Sequence, residues 1–288
     1  MTVIDLIERS SARLEQAGVS FGHGTDNAFD EAAWLVLWKL GLPIDDLDGV
    51  AGLGVDPGAA DAVGALIEQR ITTRKPAAYL TGEAWLHGVP FHVDERTIVP
   101  RSLIAELIVD GTLDAWLSPR TREVLDLCTG NGSLAVLAAM AWPEVHLDAA
   151  DLSAAALAVA RTNVDRHGLG DRIRLLQGDG LGAAPGRYDL ILCNPPYVNS
   201  TSMAALPAEY RAEPALALAG GDDGMDFIRT LLHDAPAHLN DGALLVLEIG
   251  HERAHFESAF PALEVAWLPT SAGDDQVLLI TRESFPSP

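Results

Sequence analysis

Four consecutive residues, Asn194-Pro195-Pro196-Tyr197, carry the chemistry that stands out in this chain. The Asn194 side chain offers a carbonyl acceptor. Two prolines stiffen the turn, because each fixes φ and removes a donor. With no N–H on Pro196, the Pro195 carbonyl has one competitor fewer. Tyr197 adds an aromatic face. Two acceptors beside a ring suit a planar group that carries an NH2. A carboxamide is one such group and the exocyclic amine of adenine is another. The plain alternative is a Pro-Pro turn that ends a core strand and buries a tyrosine.

A second cluster runs Asp126-Leu127-Cys128-Thr129-Gly130-Asn131-Gly132-Ser133. Glycines at such a loop let the backbone approach a ligand at a helix N-terminus. Asp151, nineteen residues past Gly132, is placed to bind ribose hydroxyls. Asp179 could accept from an adenine amino group. Gly130-x-Gly132-x-x-Ala135 also satisfies the dinucleotide fingerprint, so a nicotinamide oxidoreductase competes. Three features count against it: the third acid, the NH2-binding turn where a hydride-transfer site would lie, and a final strand expected to run antiparallel. A tight turn that only packs a helix on a strand is the structural alternative.

His251-Glu252-Arg253-Ala254-His255 matches the zinc-protease pattern His-Glu-x-x-His. On a helix it would present both imidazoles on one face, with Glu252 as base. The run begins where a helix is only starting, just after an apolar strand and Gly250, and no obvious third ligand follows. No metal is therefore expected.

These residues need a scaffold. The apolar run Tyr188–Cys193 reads as a buried strand that delivers Asn194 to the rim of a sheet, where ligands of open α/β folds sit. After Pro119 the pattern alternates strand and helix. Strands are expected at 123–128, 145–151, 172–177, 188–193, 243–249, 263–268 and 275–281, with helices near 132–141, 153–167, 224–239 and 251–259. The result is an α/β fold with a mostly parallel seven-stranded sheet. Only a short loop joins the last two strands, too short for a parallel crossover, so the final strand should be antiparallel.

Residues 1–80 read as a helical domain. One helix carries Val3, Leu6, Ile7, Leu14 and Ala17 on its inner face. A second is capped by Asn27 and predicted to bury Phe29, Ala33, Val36 and Leu40; a third opens at Asp56-Pro57 and turns Val63, Leu66, Ile67 and Ile71 inward. Gly22-His23-Gly24-Thr25-Asp26-Asn27 reads as a loop and helix cap. Residues 81–102 form a hairpin linker around Gly88, and a helix is expected at about 103–116, opening a catalytic domain over 103–288.

Composition sets outer limits. The chain has 288 residues, 48% of them apolar, and a net charge of −22. That charge repels phosphate backbones and favours basic partners, which argues against a large DNA footprint. No apolar run is long enough to span a bilayer and no signal peptide is apparent, so a cytoplasmic protein is expected. The two cysteines, Cys128 and Cys193, end apolar runs and read as small core hydrophobes.

The glycine loop, the acids and the Asn-Pro-Pro-Tyr turn resemble those of class I methyltransferases that use S-adenosylmethionine. The helical front, the hairpin and Val99-Pro100-Arg101 narrow the resemblance to the protein-(glutamine-N5) methyltransferase family, over nearly the whole chain. Release-factor enzymes of that family usually carry Pro-Arg-Pro-Glu-Thr, where this chain has Pro100-Arg101-Ser102-Leu103-Ile104. The Gly22–Asn27 loop and Tyr79-Leu80-Thr81 are similar to the branch that modifies ribosomal protein L3. The resemblance implies cofactor contacts at Asp126, Thr129, Gly130, Gly132, Asp151 and Asp179. It implies substrate-amide contacts at Asn194, Pro195 and Tyr197. A basic substrate, L3 free or early in assembly, is the implied partner. Release factors are the alternative, and a DNA adenine methyltransferase is disfavoured by the charge. Some relatives place a large side chain against the adenine where this chain has Gly180, which leaves that wall to other residues. No histidine is expected to be catalytic.

Overall fold

Local capping chemistry starts the front helices. Thr2 and Asp5 exchange side-chain and backbone hydrogen bonds, a closed capping box at the head of α1 (Val3–Gln16). Asn27 accepts from the Asp30 N–H and caps α2 (Ala28–Leu40). A short α3 (Leu47–Val50) follows. Asp56 then caps α4 (Pro57–Thr73), with proline at its first position. A last short helix, α5 (Ala77–Thr81), leads into the hairpin. The structure is a computed structural model, and it describes residues 1–285.

One predicted stripe is corrected. Of Phe29, Ala33, Val36 and Leu40, only Val36 is fully buried, and Phe29 is 38% exposed. α2 is packed by α1 on one side and α4 on another, so it buries a wide face that includes Ala28, Ala32, Leu35 and Leu37. A single narrow stripe describes a surface helix, not a central one. On α1, Ala17 lies past the last turn and is half-buried, and on α4 Ile71 is half-buried.

At the heart of this layer sits a charge. Arg70 is fully buried. Its Nε donates to Glu31 Oε1 at 2.8 Å, Nη2 to the Ser20 carbonyl at 2.9 Å, and Nη1 to Glu209 Oε1 at 3.3 Å. Glu209 lies far along the chain, and it also accepts from Arg74 at 3.2 Å. The front helices are thus pinned to a segment that follows the Asn-Pro-Pro-Tyr turn.

The hairpin pairs β1 (Glu83–Leu86) with β2 (Val89–His92). Its two-residue turn, His87-Gly88, has positive φ at both positions, the geometry that matches strand twist. The predicted helix over 103–116 is shorter than expected. α6 spans Ile104–Val109, and Gly111 at φ 77° diverts the chain into a single 3-10 turn, Thr112–Ala115.

The sheet that follows is built from β3 (Glu123–Leu127), α7 (Ser133–Ala141), β4 (His146–Asp151), α8 (Ala154–Arg166), β5 (Ile173–Gln177), β6 (Tyr188–Cys193), α9 (Ser200–Ala205), α10 (Asp226–His238), β7 (Leu239–Glu248), α11 (Arg253–Ala259), β8 (Ala266–Thr270) and β9 (Gly273–Thr281). Strand order is β5-β4-β3-β6-β7-β9-β8. Neighbours from β5 to β7 are parallel, and β9 is antiparallel to both β7 and β8. Two strand limits are corrected. β7 begins at Leu239, because Leu239 already pairs with Tyr188 before the register shifts. β8 begins at Ala266, the first residue to find a partner on β9. Both sheet faces are covered, so β3, β6 and β7 are apolar along most of their length. Among the described residues, no helix is long and apolar enough to cross a membrane.

Replacing Arg70 with alanine leaves two buried carboxylates without their common cation. Urea unfolding of Arg70→Ala is expected to show a loss of about 3–5 kcal/mol. An unchanged midpoint would show that Glu31 and Glu209 find other partners.

Candidate active site

β3 and β6 are adjacent parallel strands with Leu127 opposite Cys193. The Cys128–Gly132 loop and the Asn194–Tyr197 turn therefore leave the sheet side by side at its carboxyl edge. The chain winds outward from β3 to β5 and then returns to place β6 on the other side of β3. Crossover helices diverge at such a switch point and leave a crevice. The crevice here is a cleft of about 830 Å³, counted to its open mouth. Gly130, Asp151, Asp179, Asn194 and Pro196 line it.

The other site residues stand just behind its wall. Asp126 is fully buried. Its Oδ2 accepts from Thr129 Oγ1 and, at 3.0 Å, from the Ala135 N–H, so it holds the loop onto the head of α7. Its Oδ1 has no partner among the described residues. Burial pushes this carboxyl up to about 7, against the opposing pull of the two hydrogen bonds. Gly132 precedes α7 at φ 80°, and a Cβ there would lie 3.2 Å from Ala160 Cβ, so it lets α7 close on α8. Asp151 takes the Gly130 N–H at 2.9 Å and the Ser153 N–H at 2.8 Å. Burial raises its carboxyl too. Cys193 is a core residue as expected, whereas Cys128 is corrected: it is half-buried, lines the cleft and adopts φ 61°. A non-glycine residue in that region costs about 1–2 kcal/mol, so the strain sits where the loop turns toward the cleft.

The turn is held from three sides. Val198 N donates to the Leu218 carbonyl and Gly220 N to the Val198 carbonyl, zipping the exit of the turn to residues 218–220. A Cβ on Gly220 would come within 2.7 Å of Tyr197 Cα, and one on Gly250 within 2.5 Å of the Tyr197 ring. Only glycines allow this close an approach. Pro195 is buried, and Tyr197 stands beside the cleft rather than in its wall. The Tyr197 hydroxyl donates to Glu248 Oε1 at 3.3 Å. Glu248 Oε2 accepts from Ser102 Oγ at 2.6 Å and from the Leu103 N–H at 2.9 Å. Burial raises the pKa of both Tyr197 and Glu248. Ser102, where release-factor enzymes usually have proline, thus joins the turn through a buried carboxylate.

Several residues near the site were not legible in the sequence. Glu213 is buried and takes both terminal nitrogens of Arg101, at 2.6 and 2.7 Å, plus the Val99 N–H at 2.9 Å. His23 approaches Glu213 at 3.6 Å and stacks on Tyr210 with centroids 4.2 Å apart. The loop expected to be only a helix cap therefore docks on the segment after the turn. The one available signal was the pair Glu209 and Glu213 flanking Tyr210, a spacing that puts two acids on one side of a short turn. Phe227 stands beside Gly180, and both Phe227 and Leu152 line the cleft. His251 and Glu252 precede α11, so the His-Glu-x-x-His pair does not share a helical face. Glu252 Oε1 accepts from Asn199 Nδ2 at 2.7 Å, and its Oε2 contacts His255 Nδ1 at 2.5 Å.

Similarity to known proteins agrees with this geometry. Residues 107–209 match the methyltransferase small domain. The chain is 55% identical to the ribosomal protein uL3 glutamine methyltransferase of Bordetella pertussis, over 99% of this chain and 96% of that one. It is 53% identical to the enzyme of the same name from Burkholderia pseudomallei, over 99% and 96%. The chain belongs to the ribosomal protein uL3 glutamine methyltransferase family. Among solved structures, the hMettl16 catalytic domain in complex with a MAT2A 3'UTR hairpin shares the fold, with a TM-score of 0.53 and 13% identity over 82% of this chain and 85% of that one. The methyltransferase fold and family expected from the turn and the glycine loop are thus those observed.

In this methyltransferase Glu213 also sets an acid limit. Burial pushes its carboxyl up, but the His23 and Arg101 side chains outweigh that and hold it at about 2. At 3.6 Å the His23 contact is too long for a hydrogen bond, so the paired Arg101 bonds are the main cause. The folded value lies below the ordinary 4.5. Its stabilisation is therefore complete above 4.5 and disappears as pH falls from 4.5 toward 2, a change of about 3 kcal/mol. Urea midpoints measured across that window should fall steeply for the native protein and less for Glu213→Gln. Parallel profiles would remove Glu213 from the account.

Proposed function

We propose that this methyltransferase transfers the methyl group of S-adenosylmethionine to the side-chain N5 of a glutamine in ribosomal protein L3, in the cytoplasm. The names of its relatives support the substrate. The observation that carries the chemistry lies at the turn. Among the described residues, no protein donor reaches the Asn194 side-chain oxygen or the Pro195 carbonyl, at the edge of a cleft that Asn194 lines. Two free acceptors there suit the two N–H groups of a carboxamide.

The cleft also suits the cofactor. Leu152 and Phe227 offer apolar walls for a purine. Asp151 faces the cleft, and its carboxylate keeps lone pairs beyond those given to Gly130 and Ser153, enough for ribose hydroxyls. Asp179 lines the same cleft and would accept from the adenine amine. Asp126, Thr129 and Gly132 shape the loop behind Gly130, and the unpartnered Asp126 Oδ1 could take a cofactor donor. When bound, S-adenosylmethionine supplies an electrophilic methyl on a sulfonium.

An amide nitrogen is a poor nucleophile because its lone pair is delocalised into the carbonyl. Asn194 Oδ1 and the Pro195 carbonyl hold the two N–H groups and favour a rehybridised nitrogen, on whose hydrogens positive charge grows. Tyr197, fixed by Glu248, supports the amide plane and offers a π surface to that charge. Most of the rate gain comes from positioning. The surplus proton is very acidic and leaves to carbonyl or water, so no strong base is needed. The helices of residues 1–80 grip the substrate protein, and the 81–102 hairpin joins them to the catalytic half.

Labelled-methyl transfer offered side by side to L3, release factors and DNA tests the assignment. Label on L3 is expected, and label on DNA instead would overturn it. Asn194→Ala should lower kcat by roughly 100–1000-fold while cofactor affinity by calorimetry stays within a few-fold. Asp151→Ala should chiefly weaken cofactor binding. Equal cofactor losses in both variants would contradict these roles.

The charge of −22 attracts a basic protein and repels assembled ribosomal RNA. Free L3 should therefore be methylated faster than L3 within intact subunits, and the difference should shrink as salt rises. Equal initial rates at low salt would count against the charge argument.

A further inference from the structure

Away from the cleft, the front helices and the hairpin enclose a second concavity. It is lined by apolar side chains that include Phe29, Trp34, Leu37, Ile44 and Trp85. Three of these are well exposed: Phe29 and Ile44 at 38% and Trp85 at 46%. A contiguous apolar surface of this kind on a soluble domain marks an interaction site more often than chance. Trp34, in the floor, is more than nine-tenths buried, and its indole N–H has no acceptor among the described residues. Asp30 lines the groove, and Asp26 and Asp45 adjoin its lining residues Thr25 and Ile44; all three are exposed. No ion pair is formed by Asp26, Asp30, Asp45, Asp46 or Asp48 among the described residues. Residues 20–60 hold seven acids and one base, Lys39.

We propose that this groove docks an apolar segment of the substrate protein flanked by lysine or arginine, outside the glutamine that is methylated. The inference rests on the proposed function, since L3 is the basic protein that would supply the segment. Charge complementarity selects the occupant: an apolar floor with the Asp30 carboxylate in its lining, and exposed Asp26 and Asp45 next to lining residues in sequence, favours a hydrophobic anchor with basic neighbours and disfavours an equally acidic second copy of this chain. A tilt of the Trp34 ring toward the groove would offer its N–H to a backbone carbonyl of the seated segment. The location also fits. Gly24 and Thr25 of the groove belong to the loop whose His23 packs at a tilt on Tyr210, so a segment seated here touches a loop that is itself docked on the segment following Asn194–Tyr197. Docking would raise the local concentration of the target glutamine without touching the reacting atoms.

Trp85→Ala and the double variant Asp26→Lys/Asp45→Lys test this in the full chain, with steady-state methylation of intact L3 and calorimetric binding of S-adenosylmethionine as readouts. In each variant KM for L3 should rise by about 10-fold, while kcat and cofactor affinity stay at native values. Added salt should raise KM for the native enzyme and much less for the double variant. Native KM in both variants, with the native enzyme active on L3, would overturn the docking site alone. A native enzyme inactive on L3 would overturn the assigned substrate, and the docking site with it. A native dimer in sedimentation that Trp85→Ala dissolves would identify a second copy as the occupant, and so overturn the proposal.

Discussion

Parallel pairing of β3 with β6, with Leu127 opposite Cys193, is the constraint on which the rest of the site depends. The two strands are separated by two crossover units in the sequence, yet they end at the same height on the same edge. Everything placed immediately after Leu127 therefore faces everything placed immediately after Cys193. The glycine loop and the Asn-Pro-Pro-Tyr turn become two walls of one cleft. A shift of one residue in that register would invert the side chains of β6 and turn Asn194 away from its partner loop.

Around this pairing the protein spends stability on rigidity. Asp126, Glu248, Glu209 and Glu213 are acids buried almost completely. Three are satisfied by donors from elements far away in sequence, Ser102 and Tyr197 for Glu248, Arg70 and Arg74 for Glu209, and Arg101 for Glu213, while Asp126 takes its donors from the adjoining loop and helix and keeps Oδ1 unpartnered among the described residues. Buried carboxylates of this kind contribute little net energy but leave few alternative arrangements open. Their effect here is to lock the loops that carry Asn194 and Tyr197. The left-handed Cys128 belongs to the same economy, a local strain tolerated where the backbone must turn toward a ligand.

Those acids also tie the helical front to the Asn-Pro-Pro-Tyr side of the cleft. Glu209 and Glu213 lie on the segment that leaves the Asn-Pro-Pro-Tyr turn, and their partners Arg70, Arg74 and His23 lie on the front helices and the loop between them. The front is thereby continuous with the turn through four or five side chains.

By itself the sequence determined the local matters: the capped starts of α2 and α4, the alternation that yields a mostly parallel sheet, the antiparallel last strand, and a stiff turn with two acceptors at Asn194 and Pro195. These follow from short-range rules, a cap and its third residue, a proline's fixed φ, a loop too short for a crossover. Tertiary structure alone decided which of the acids face the cleft. Asp151 and Asp179 do so, while Asp126 turns inward to hold Thr129 and Ala135. It also decided that α2 buries a broad face, that Cys128 lines the cleft, and that Glu209, Glu213 and Glu248 tie the site together. The physical reason is that burial and partnership belong to residues brought together from distant parts of the chain, and no spacing within one segment records who the partner will be.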